Sequence, residues 1–167
     1  MKKSMTLVET IVYVTILSFV ATAFVTMSIN LMSLKGKTVS QQEMSSSLRL
    51  ISQKINYEIR NAVSISSTTA SSMTLTMADS LRNPTVFDLD SGNIRMGFGS
   101  GGSCPASSPC ILNSKLVNMS AFSVTNLSSG DTKTQNIRYT ITGNYINNSN
   151  RAEFAANGSI TDSMELR

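Results

Sequence analysis

Glu9 sits where an ionisable group is least expected. In "KKSMTLVETIVYVTIL" (2–17) it follows two lysines and stands among apolar residues. A carboxylate there is costly unless it reaches water at a membrane edge or meets a cation. Cys104 and Cys110 form a second candidate pair, in the Gly-, Ser- and Pro-rich loop "GSGGSCPASSPCIL". A disulfide there would close a short loop and stabilise it by ~2 kcal/mol. The alternative is a pair of unbridged thiols in a reducing compartment. The C-x5-C spacing, with no helix pattern starting at Cys104, argues against a redox-active pair.

Other chemistry is thinly represented. The chain has no His and no Trp, which removes histidine acid/base catalysis, Ser-His-Asp triads and the commoner zinc sites. Asp88 and Asp90 in "DLDSGN" offer carboxylates to calcium, but a full calcium loop needs more acidic ligands, so the stretch reads as a hairpin turn. "GFGSGGS" lacks the Lys-Ser/Thr ending of a phosphate loop. The net charge of +4, from 14 basic and 10 acidic residues, includes Lys2 and Lys3 and shows no basic run of the nucleic-acid-binding kind. These readings predict no enzyme activity, no cofactor, no metal, no small-molecule substrate and no nucleic-acid partner.

The elements that would position Glu9 are legible. The 167-residue chain has room for an anchor and one modest domain. No charge falls between Thr10 and Leu34, a stretch long enough at ~1.5 Å per residue to cross ~30 Å of hydrocarbon. Lys2 and Lys3 place the short end in the cytoplasm by the positive-inside tendency, and Lys35 and Lys37 beyond the far end weaken that bias. Thr15, Ser18, Thr22, Thr26, Asn30 and Ser33 recur at helical spacing and form one polar face. Such a face lets helices approach and hydrogen-bond in an apolar medium; the alternative is hydroxyls bonding back to their own helix. An ordinary secretory signal, cut after Ala23 in "ATA", is the competing reading of the whole segment.

The helical period continues through Met44, Leu48, Ile51, Ile55, Ile59 and Ala62, now with polar residues between. Beyond it come β-rich runs at 71–77, 84–90, 93–98, 119–127 and 136–146, and a final one in "SITDSMELR". The predicted fold is α+β: a long N-terminal helix, first transmembrane and then amphipathic, packed on a C-terminal antiparallel β-sheet domain. Its divisions are 1–4, 5–34, 35–62 and 63–167.

The opening "KKS", then "MTLVE" and an uninterrupted apolar helix, resembles the processing signal of type IV prepilins and pseudopilins. The resemblance implies a pilin-like fold and cleavage by a prepilin peptidase between Ser4 and Met5. It also implies N-methylation of Met5 and pairing of Glu9 with that amine on a neighbouring subunit. Ser4 replaces the family's usual glycine, and Met5 its usual phenylalanine. The segment "SSSLRLISQKINYEIRNAVSI" (45–65), with the strand-rich region after it, is similar to J-type minor pseudopilins of type II secretion, W-type minor pilins and competence pseudopilins. The implied role is a minor structural subunit that helps initiate or cap a filament, with other pilin subunits, the peptidase and the membrane as partners. The implied location is the cytoplasmic membrane, with the C-terminal domain outside the cytoplasm, and then a periplasmic or cell-surface filament. Retention of Glu9 argues against the one tip subunit that characteristically lacks it.

Overall fold

The computed structural model describes residues 6–99, 110–128 and 135–166. Ser4, Met5 and Cys104, and with them the expected cleavage site, methylation site and one half of the cysteine pair, lie outside the described residues.

A single helix, α1 (Leu7–Asn61), spans 55 residues without interruption, about 80 Å at 1.5 Å per residue. Thr6 begins it in an extended conformation, and its hydroxyl oxygen accepts from the Glu9 backbone N–H at 3.4 Å. No proline occurs in the helix, and Gly36 does not break it. At the far end Ala62 turns to extended geometry, its N–H bonded to the Ile59 carbonyl, and the chain passes directly into a strand.

Among the described residues eight strands follow: β1 (Ala62–Thr68), β2 (Ser72–Met77), β3 (Thr85–Asp90), β4 (Asn93–Phe98), β5 (Cys110–Ile111), β6 (Val117–Asn126), β7 (Asn136–Tyr145) and β8 (Asn157–Glu165). The coarse expectation of one long helix and an antiparallel β domain matches this α+β architecture. Two details differ. The strands form two sheets instead of one, a five-stranded meander β1-β2-β3-β4-β5 and a three-stranded β6-β7-β8. β1 and β5 also fall where no strand was expected. β1 starts at the helix end with no turn residue to announce it, and β5 is too short to show alternation.

The expected hairpin at 90–93 is present. Ser91 and Gly92 both have positive φ (50° and 78°), the conformation that suits a two-residue connection between twisted strands. The tip docks on β6: Met119 N–H donates to the Gly92 carbonyl at 2.8 Å. A Cβ on Gly92 would lie 1.8 Å from Asn118 Oδ1.

Both sheets and the second half of α1 share one core. Met44, Leu48, Ile51, Ile55 and Ile59 from the helix meet Phe122, Ile137, Tyr139 and Ile141 from one sheet, and Met73, Leu75, Phe87 and Ile94 from the other. β8 runs along the helix in the same direction, from Gly158 beside Leu48 to Asp162 bonded to Asn56. The helix sits close because Gly143 and Gly158 are paired in register beneath it. A Cβ on Gly143 would come within 2.7 Å of Met119 Sδ and 3.0 Å of Met44 Cε.

Candidate assembly surface

Among the described residues, the first half of α1 makes almost no contact with the β domain. Leu7, Phe19, Phe24 and Met32 are each at least 71 % exposed, and the other large apolar residues from Val8 to Leu34 are exposed too. This helix is long and apolar enough to cross a membrane. Apolar surface of this extent, presented all round a helix, calls for lipid or other helices around it. Glu9 lies in the first turn, where a carboxylate also complements the helix dipole, and its residue surface is exposed.

The hydroxyls of the polar face are hydrogen-bonded within the helix. Thr15 donates to the Ile11 carbonyl at 2.9 Å, Ser18 to Val14 at 2.8 Å, Thr22 to Ser18 at 2.8 Å, Thr26 to Thr22 at 3.0 Å and Ser33 to Ile29 at 3.2 Å. Ser28, off that face, does the same to Phe24 at 2.9 Å. These bonds make the residues tolerable in hydrocarbon. Because α1 is continuous, this face has a fixed register with the domain. Asn30 and Ser33 lead through Lys37 to the buried Ser40 and Met44, at spacings of three and four. The polar face thus looks to the side on which the β domain sits. Val39, Leu50 and Tyr57 form an opposite, exposed edge.

Polar side chains lock the second half of α1 to the domain, and sequence reasoning did not single them out. Tyr139 is fully buried; its hydroxyl donates to Asn56 Oδ1 at 2.7 Å and sits 2.9 Å from Ser52 Oγ. Asn56 Nδ2 in turn donates to Asp162 Oδ2 at 2.7 Å. Burial pushes the phenol up to about 12, against its hydrogen bond from Ser52 and with the help of the Asp162 charge. The Glu58 side chain is buried beside the end of the helix, held by Arg82 from the β2–β3 connection and by Lys54 at 3.1 Å. Arg82 also stacks 5.0 Å from the Phe98 ring. The Lys54–Glu58 spacing was a visible signal for half of this cluster. Nothing local marks Arg82 as its partner.

The remaining sequence candidates resolve simply. Asp88 and Asp90 are both engaged by Arg95, whose Nε donates to Asp88 at 2.9 Å and whose Nη1 donates to Asp90 at 2.7 Å. The bond to Asp88 raises the Arg95 pKa above its usual value. These carboxylates brace a hairpin, as the turn reading expected. Cys110 opens β5 opposite Met96. No protein-family model, curated protein or solved structure matches this chain. The functional reading therefore rests on its own residues.

Proposed function

We propose that the chain is a minor pilin or pseudopilin, a structural subunit that helps start or cap a filament of the type IV pilus or type II secretion kind. The observation that carries this reading is one unbroken helix, Leu7–Asn61, bare and apolar in its first half and roofed by a β domain in its second. Such a subunit is stored in the membrane by the first half and exchanges lipid for neighbouring helices on assembly. Glu9, in the first turn, supplies a negative charge next to the chain start. In the filament it pairs with the methylated Met5 amine of a neighbour after cleavage at Ser4–Met5, which offsets the cost of burying either charge alone. A bridge between Cys104 and Cys110, formed outside the cytoplasm, would close a short loop there.

Mass spectrometry of the processed chain tests the proposal. N-methylated Met5 as the first residue is the expected result. A chain beginning at Phe24 would replace the proposal with an exported, soluble β-domain binding protein. That second reading draws support from one fact: every buried residue of α1 lies at or beyond Ser40, so a cut after Ala23 leaves the core whole.

A further inference from the structure

A cleft of about 590 Å³ opens between α1 and the β7–β8 connection, lined by Asn30, Ser33, Leu34, Lys37 and Ala152. Ala152 begins a short 3-10 helix, Ala152–Phe154, that packs against α1. The four helix residues occupy one face at spacings of three and four. The cleft therefore lies under the overhang of the β domain, where the helix emerges from it.

Its height follows from the sequence. The charge-free stretch ends at Leu34, and Lys37 stands one turn beyond, on the side where the domain sits. With Thr10–Leu34 in the hydrocarbon, Lys37 is at the level of the phosphates, and Leu34 faces the upper acyl region. Of the five residues that line the cleft, Lys37 is the charged one. Ala152 provides a small apolar wall.

We propose that this cleft seats one anionic glycerophospholipid, its phosphate on Lys37 and an acyl chain running down past Leu34 toward Asn30. The inference rests on the membrane-anchored reading of the chain. A free phosphate would use Lys37 alone; a lipid also uses the apolar wall.

The test uses the full chain. Flotation with phosphatidylglycerol vesicles comes first: a chain that stays at the bottom overturns the anchored reading and this site together. For a chain that floats, native mass spectrometry from mild detergent counts retained lipid. The expected result is phosphatidylglycerol retained in preference to phosphatidylcholine, with inorganic phosphate alone not retained. Lys37→Ala lowers phosphatidylglycerol retention about five-fold, whereas Lys35→Ala, roughly 200° around the helix, leaves it unchanged. Ala152→Trp fills the cleft and lowers retention of both lipids. Equal losses from Lys37→Ala and Lys35→Ala, no loss from either Lys37→Ala or Ala152→Trp, or retention of inorganic phosphate would each overturn the lipid site while leaving the anchored reading intact.

Discussion

Single side chains carry opposite burdens at the two ends of α1. Among the described residues Glu9 packs against nothing in the β domain, so its replacement tests assembly rather than the domain's fold. Under the proposed filament reading, Glu9→Ala is expected to leave membrane insertion intact and to abolish or strongly reduce recovery of the chain in sheared filaments; unchanged recovery would remove the pairing role. Tyr139 is the reverse case, a residue whose polar tip matters only to the fold. Tyr139→Phe strands Asn56 Oδ1 and should cost about 1–2 kcal/mol in denaturant unfolding. The raised phenol pKa also gives an alkaline dependence with a definite sign. The folded state holds the proton more tightly than the unfolded chain, whose phenol titrates near 10. The stability from the neutral phenol is complete below pH ~10 and is lost as pH rises through about 12. Unfolding midpoints of wild type should fall over that window more steeply than those of Tyr139→Phe, and parallel profiles would count against this cause.

At the scale of elements, the helix is held to the domain by close approach at one end and by buried charge at the other. Gly143→Ala puts a methyl group against Met119, Met44 and the Asn118 carbonyl, and is expected to destabilise by about 2 kcal/mol. Gly158→Ala meets the end of Leu48 at 3.1 Å and Met44 at an ordinary contact distance of 3.5 Å, and should cost less. Both place a methyl group near Met44, so the double variant should depart from additivity, and a simple sum would show that the helix does not act as the shared neighbour. Arg82→Ala leaves the buried Glu58 with Lys54 alone and should cost about 3 kcal/mol, read from the same denaturant curves. These contacts explain what was legible in the sequence and what was not. The helix, its two halves, six strands and the 90–93 hairpin follow from periodicity and turn chemistry, which are local. The division into two sheets, the Gly143–Gly158 pair beneath the helix and the Arg82–Glu58 contact join residues far apart in sequence. For the candidate site, Glu9 and the polar face were visible as residue types at fixed spacing. The register of that face with the domain required knowing that α1 continues unbroken through Gly36.

The whole molecule divides by environment, although its helix does not divide by structure. All buried α1 residues fall between Ser40 and Ile59, and among the described residues the apolar half before them meets the domain around the cleft at Asn30–Lys37. Folding of the β domain should therefore depend little on the first 34 residues, whereas solubility should depend on them strongly. A chain starting at Lys35 removes the exposed apolar half and keeps the core-facing residues Met44, Leu48, Ile51, Ile55 and Ile59. It is expected to be soluble without detergent and to unfold cooperatively, with a stability within about 1 kcal/mol of the full chain in detergent, as for changes remote from the core. Light scattering and urea unfolding followed by circular dichroism provide the comparison. A loss of several kcal/mol would mean that the apolar half holds the domain together, which is incompatible with a helix free to exchange lipid for neighbouring subunits. An unchanged domain would instead give the two halves separate tasks: the second builds the fold, and the first is left for whatever apolar partner surrounds it.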